Sequence, residues 1–189
     1  MTRPVPRPPV PEEVALAPSP RLAILVALTG ADAVVDASCS LLLGADPADP
    51  LLPHLSWWGG ASEVALSASG LDLAYWPRVW GARGLLHVYR SRGAAAVLVG
   101  LRDPSWRVRE MCVKVVRAHE IGAAAGELAR LCSDEVTRVR VAAVRGLAVV
   151  GEAEEAVVLR RLVDDVEPEV ARSAEKSLRD MGIRLDRDV

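Results

Sequence analysis

Apolar residues in the second half of the chain follow a helical spacing that breaks once and then returns. Within residues 103–133, a first stripe is formed by Val108, Cys112, Val115 and Val116. After a break at Gly122, a shorter stripe is formed by Leu128, Leu131 and Cys132. Residues three and four apart share one face of a helix, so each stripe predicts a helix that buries one side. The pattern predicts two helices joined by a turn.

The same pattern recurs at an interval of 31 residues. Aspartates keep this interval at Asp72, Asp103, Asp134 and Asp165. Arginines keep it six positions later, at Arg78, Arg109 and Arg140. A fixed period of this size is typical of solenoids, in which each unit buries its apolar face against its neighbours. We therefore expect repeat units that start near residues 72, 103, 134 and 165, within a repeat region of residues 72–189.

Each unit is expected to open with a capped helix. Asp103 is followed by Pro104, and a carboxylate can cap free amide groups where proline is tolerated in the first turn. Small residues share one column of the repeat, which allows neighbouring first helices to approach closely: Gly81, Cys112, Ala143 and Ala174. The fold class predicted is all-α, an α-solenoid of helical hairpins.

Residues 21–71 do not keep the period. Residues 21–28 and 32–43 read as two helices separated at Thr29 and Gly30, with Asp32 as a cap, and residues 51–58 as a short helix. Terminal units of solenoids are atypical, so we expect an irregular helical N-terminal cap. Residues 1–20 contain seven prolines and are expected to form an extended, disordered arm.

Composition adds three constraints. The chain is 51% hydrophobic but has no Phe, which suits closely packed helices of Ala, Val and Leu. The net charge is only −2, yet residues 72–145 carry 13 basic and seven acidic side chains. Cys39, Cys112 and Cys132 are too few and too scattered for a disulfide framework or a metal site. No apolar run reaches the ~18 residues of a membrane span and no secretory signal is evident, so we expect a cytoplasmic protein.

The repeat pattern resembles the HEAT family. The resemblance rests on Asp-x5-Arg, then Ala-x3-Leu, a turn marked by Gly and a Leu-rich second helix, over residues 72–183. The best matching positions are Asp103, Val108, Arg109, Asp134, Val139, Arg140, Ala143 and Leu147. The last unit departs from the pattern because Ala171 occupies the arginine position and Arg172 follows it. Similarity to the short bacterial HEAT-like and lyase-type repeats implies a curved helical stack with a binding role, in which the Asp and Arg columns tie consecutive units together.

A column of basic residues is one candidate binding surface. Arg83, Lys114 and Arg145 share a repeat position, which Lys176 continues. Stacked helices lie ~8–10 Å apart, so the column would form a line of positive charge able to follow phosphates. A solvated helix face is the alternative, because Glu110 precedes Lys114 by four residues and can pair with it.

The tryptophans are the second candidate surface. They cluster between residues 57 and 106, at Trp57, Trp58, Trp76, Trp80 and Trp106. Aromatic rings beside arginines could stack a base or anchor a peptide. Alternatively, the indoles fill the joint between the irregular cap and the first regular unit.

The sequence predicts a non-enzymatic scaffold or adaptor that binds a partner protein. It contains no spacing typical of a catalytic centre, a metal site or a cofactor-binding loop. The alternative is a nucleic-acid-binding repeat protein that uses its basic helix face, including a role in DNA repair, since some HEAT-like proteins are DNA glycosylases. The expected partner is a protein, then nucleic acid, with no membrane and no small-molecule cofactor.

Overall fold

The computed structural model describes residues 5–69 and 74–186. Across these residues every regular element is a helix and no strand occurs, which confirms the all-α fold class. The chain divides into two compact units, residues 1–100 and residues 101–189. This division falls later in the chain than the boundary expected between residues 71 and 72.

Within residues 5–69 and 74–100, the first unit contains seven α-helices. They are α1 (Pro11–Ala15), α2 (Pro18–Thr29), α3 (Ala31–Leu42), α4 (Ser56–Gly59), α5 (Ala61–Ser69), α6 (Trp76–His87) and α7 (Ala94–Gly100), with a 3₁₀ turn at Ser91–Gly93. The expected break between α2 and α3 lies at Gly30, whose φ of 89° favours glycine.

Three details of the N-terminal region differ from the sequence expectation. The arm expected to be disordered over residues 1–20 includes α1 and the start of α2, because prolines occupy the first helical turns of both, where their missing N–H is tolerated. Gly30, not Asp32, precedes α3, and Asp32 instead pairs with Arg92 at 3.1 Å. The third difference follows α3: the short helix expected over residues 51–58 is observed only as α4 (Ser56–Gly59), and α5 comes after it without having been predicted.

The core of the first unit is built around α2, α3 and α6. Leu25, Val34 and Trp57 are fully buried there. Arg21 is also buried, and its Nε and Nη2 donate to the carbonyl oxygens of Trp57 (3.0 Å) and Trp58 (3.1 Å). Backbone carbonyls therefore satisfy a buried cation at the centre of this unit.

Helices α3 and α6 pack almost backbone to backbone. A Cβ atom at Gly81 would lie 2.6 Å from both the Leu42 nitrogen and the Ser38 carbonyl oxygen. The small residue predicted for this column is therefore required by a contact with main-chain atoms, which cannot move aside as a side chain can.

Over residues 101–186, the second unit contains two helical hairpins followed by one longer helix. Its elements are α8 (Trp106–His119), a 3₁₀ turn (Gly122–Ala124), α9 (Ala125–Leu131), α10 (Thr137–Val150), α11 (Ala156–Leu162) and α12 (Pro168–Leu185). Helix α10 packs between α8 and α12. The predicted stripes form the core, with Val108, Cys112, Val139, Ala143 and Ala174 fully buried.

The repeated aspartates act just before each first helix. Asp103, Asp134 and Asp165 each accept a hydrogen bond through Oδ1 from the amide two residues later, at 2.7, 2.9 and 2.9 Å. Helices α8, α10 and α12 begin one residue beyond that amide. The carboxylate thus shapes the turn into the helix, and the residue that precedes the helix is Ser105, Val136 or Glu167. Asp72 and the start of its unit lie outside the described residues.

No single helix of the described ranges has the length and apolar character to cross a membrane; α2 and α3 reach that threshold only as a pair bent by 118°.

Replacing Gly81 with Ala should destabilise the first unit by about 2 kcal/mol, because the added methyl meets main-chain atoms and over-packs the contact between α3 and α6. Gly126→Ala in α9 is the matched control. A Cβ there meets nothing within 4 Å, so the gain in helix propensity should leave stability unchanged or raise it by up to about 1 kcal/mol. Urea denaturation of both variants measures the difference, and equal midpoints would contradict the proposed close approach.

Candidate interaction surface

Arg109 joins the start of one hairpin to the start of the next. Its Nε and Nη2 donate to Asp134 Oδ2 (2.7 Å) and Oδ1 (2.9 Å), a two-pronged pairing. Its Nη1 donates to the Asp103 carbonyl oxygen at 2.9 Å. Arg109 is 7% exposed, so these bonds form in a largely desolvated setting.

The next arginine repeats the arrangement more loosely. Arg140 Nη1 donates to the Asp134 carbonyl oxygen at 2.9 Å, as Arg109 does to Asp103. Its Nε lies 3.8 Å from Asp165 Oδ2 and makes no hydrogen bond within the part of the chain that is described. The series ends at α12, where Ala171 replaces the arginine. In the first unit, Arg78 donates to the Ala74 carbonyl oxygen at 3.2 Å.

Three of the predicted tryptophans are core residues. Trp57, Trp58 and Trp80 are at most 2% exposed. Trp58 Nε1 donates to Ser38 Oγ at 2.9 Å, and Trp57 Nε1 donates to the Arg7 carbonyl oxygen at 3.1 Å. The prediction that these three contact a partner is wrong, because their rings pack inside the first unit. Trp76, half-buried, stacks on Trp80 with ring centroids 5.9 Å apart.

Trp106 has a different setting, in the second unit. It is half-buried at the start of α8, and the guanidinium carbons of Arg107 and Arg138 lie 4.4 and 5.4 Å from its ring centroid. Cations over an indole face are attracted by the ring quadrupole. Trp106 is therefore part of a positively charged surface.

That surface continues along the solvent-facing side of α8, α10 and α12, here called the first-helix face. Its basic residues are Arg107, Lys114, Arg117, Arg138, Arg145, Arg172 and Lys176. Its acidic residues beside these cations are Glu110, Glu169 and Asp180. These cations outnumber these carboxylates by seven to three, and the exposed Glu175 and Arg179 of α12 leave the excess of positive charge unchanged.

The carboxylates pair with some of the predicted basic residues. Lys114 Nζ lies 3.2 Å from Glu110, and Lys176 Nζ lies 2.7 Å from Asp180. Arg145 Nη2 lies 3.7 Å from Glu169 Oε1, a longer distance than in the other two pairs. Arg83 is half-buried in the other unit, where burial lowers the pKa of its guanidinium. Of the predicted basic column, Lys114 and Arg145 belong to the second unit, whereas Arg83 belongs to the first.

A groove of about 540 Å³ lies on the first-helix face. Its walls come from α8, α10 and α12, and its basic lining residues are Arg117, Arg145, Arg172 and Lys176. Sequence reasoning singled out Arg145 and noted Lys176, but missed Arg117 and Arg172. The sequence did contain a signal for Arg172. It follows Ala171, which occupies the repeat position of Arg109 and Arg140, so Arg172 cannot take the place of those arginines in the Asp–Arg pairing.

The cysteines are held as thiols. Cys112 and Cys132 are buried, and burial raises the pKa of both, that of Cys132 to about 12. A thiol with a raised pKa is a poor nucleophile and a poor metal ligand at neutral pH. Within the described residues, no group of His, Cys, Asp or Glu could hold a metal ion.

Removing Arg109 should destabilise the second unit strongly. In Arg109→Ala the Asp134 carboxylate, whose side chain is 5% exposed, loses its charged partner, and an uncompensated buried charge costs about 3 kcal/mol. Arg102→Ala is the control, because Arg102 forms an exposed pair with Glu127 and should matter little. Urea denaturation measures the loss of stability in each variant. Similar losses in the two would show that the pair of Arg109 and Asp134 is not a principal contact between hairpins.

Comparison with known proteins agrees with this geometry. Residues 93–179 match the family model described as HEAT repeats. No curated protein is similar enough to the chain to count as a match. The matched segment includes α8 to α11 and most of α12, the helices that keep the 31-residue interval. Residues 93–179 are thus similar to HEAT repeats.

Proposed function

We propose that this protein is a non-enzymatic scaffold that binds a partner protein through the first-helix face of its HEAT repeats. The observation that carries the proposal is the contrast between the two kinds of arginine in the second unit. Arg109 is buried and bound to Asp134, whereas Arg138 and Arg145 project into solvent from the same stack. HEAT repeats are commonly scaffolds for protein interactions, and stacked repeats create extended binding surfaces.

The face has features of a recognition surface. Rigid helices fix its side chains, and the buried ion pair of Arg109 holds two of those helices in register. Arginine and tryptophan are enriched among residues that dominate binding energy, and two arginines lie against the Trp106 ring. An excess of positive charge also accelerates encounter with a negatively charged partner.

A bacterial, cytoplasmic setting is part of the proposal. Cys39, Cys112 and Cys132 are all free thiols, which is typical of a reducing compartment.

Nucleic acid is the alternative partner, supported by the excess of cations on the first-helix face. Three carboxylates interrupt that face, and Glu110 pairs with both Lys114 (3.2 Å) and Arg138 (3.3 Å). A phosphate backbone that followed the face would have to displace these pairs and pass each carboxylate. The interleaved acids favour a protein partner over a continuous polyanion.

Charge reversal on adjacent helices tests the proposal. Arg138→Glu with Arg145→Glu changes the first-helix face on α10, and Arg160→Glu with Arg161→Glu makes the same change in charge on α11. Affinity capture from the native host should recover a protein partner with the wild type and the α11 variant. The α10 variant should recover at least about tenfold less of that partner, because like charges then face each other across the interface.

Equal recovery by both variants would contradict binding through this face. The nucleic-acid alternative requires binding of a duplex or single strand that weakens steeply between about 50 and 200 mM salt, since neutralised phosphates release counterions. If a strand binds in this way and no protein is recovered, the alternative replaces the proposal.

A further inference from the structure

The groove on the first-helix face contains cations that no carboxylate neutralises. Arg117 of α8 and Arg172 of α12 both line it, and neither makes a hydrogen bond or an ion pair with any residue of the described ranges. Both side chains are exposed, so an anion that enters the groove can reach each guanidinium without displacing a partner. Their joint position points to a ligand with negative charge.

Arg145 adds a third guanidinium that is only loosely engaged. Its Nη2 lies 3.7 Å from Glu169 Oε1 and 3.4 Å from Ser173 Oγ, both at the long end for polar contacts. Its side chain is 50% exposed. A stronger acceptor in the groove can therefore take the guanidinium without breaking a buried bond.

Two serines give the groove a polar base that the other repeats lack. Ser173 and Ser177 are 7% and 2% exposed, and they lie one helical turn apart on α12. The preceding repeat has Ala142 and Gly146 at these positions. Ser177 makes no side-chain hydrogen bond in the described part of the chain, although it lines the groove. At these two repeat positions, α12 thus places hydroxyl groups in the groove that Arg117 and Arg172 also line.

We infer that this groove binds an acidic peptide segment of the partner protein, with carboxylates held by Arg117, Arg145 and Arg172. The inference rests on the proposed function, because it assigns the chemistry of the partner at the same face. Guanidinium groups match carboxylates in a two-pronged geometry, and the Ser177 hydroxyl can donate to a peptide carbonyl or a carboxylate.

The charge pattern of the groove selects a peptide over a nucleic-acid strand. Glu169 and Asp180 also line it, and Asp180 already binds Lys176 at 2.7 Å. The four cations exceed the two carboxylates by two charges within one cavity of about 540 Å³. A short segment with two or three carboxylates fits this localised charge. A strand with a regular phosphate spacing does not, because it would place phosphates against the groove's own acids.

A displayed library of random peptides of about eight residues tests the inference with the full chain as the bait. Sequences enriched by the wild-type protein should carry at least two Asp or Glu residues close together. Enrichment of basic or purely apolar sequences, or no enrichment, overturns the inference. A fluorescein-labelled copy of the most enriched acidic peptide then serves as the probe for fluorescence anisotropy.

Substitutions on one helix assign the binding to the groove. Arg172→Gln should raise the Kd of the labelled peptide by about tenfold or more, since a charge-assisted hydrogen bond is lost. Ser177→Ala should raise it by about threefold, as expected for a neutral hydrogen bond. Arg179→Gln is the matched control, because Arg179 is an exposed α12 arginine that does not line the groove. It should bind as the wild type does.

Two further outcomes separate this inference from the proposed function. If Arg172→Gln and Arg179→Gln weaken the peptide equally, the peptide senses net charge only and the groove is not its site. If no acidic peptide binds while host-protein capture still depends on Arg138 and Arg145, the proposed function stands and the acidic-segment inference fails. An unlabelled oligothymidylate that displaces the peptide more effectively than the unlabelled peptide does also overturns it.

Discussion

The second unit depends on one buried contact between successive hairpins, the pairing of Arg109 with Asp134. Each member has two tasks. Asp134 shapes the turn into α10 through the Val136 amide and also accepts two bonds from Arg109. Arg109 in turn binds the Asp103 carbonyl oxygen. Removing either side chain leaves the other buried without its opposite charge, so entry into one helix and its stacking on the next are coupled.

The helices of the second unit could be predicted because each repeat buries the same positions. The stripes at Val108 and Val139, and the small column at Cys112 and Ala143, all became core. These features are local in sequence and recur, so a single period exposes them. The first unit has no such repetition. Whether Trp57 contacts a partner or the core depends on how α2, α3 and α6 meet, which no spacing encodes.

The candidate surface was predicted in part, for the same reason. A basic column was visible, and Lys114 and Arg145 lie on the first-helix face. What the column could not reveal is which cations remain unpaired, since that depends on carboxylates brought close by stacking. Glu110 reaches Arg138 from a neighbouring helix, for example, whereas no acid reaches Arg172 within the described residues. Alignment of the repeats shows the change from Ala142 and Gly146 to Ser173 and Ser177. Only the structure shows that these two serines line a groove.

The bond from Arg109 to Asp134 spans 25 residues of the chain, less than one repeat interval. Closing so short a loop carries a modest entropic penalty, and the penalty is the same for each added hairpin. A tandem duplication of one 31-residue unit would therefore supply its own linking arginine and aspartate. Such a stack can lengthen or shorten during evolution by whole units, because each added hairpin is linked to its neighbours by the same pair of residues.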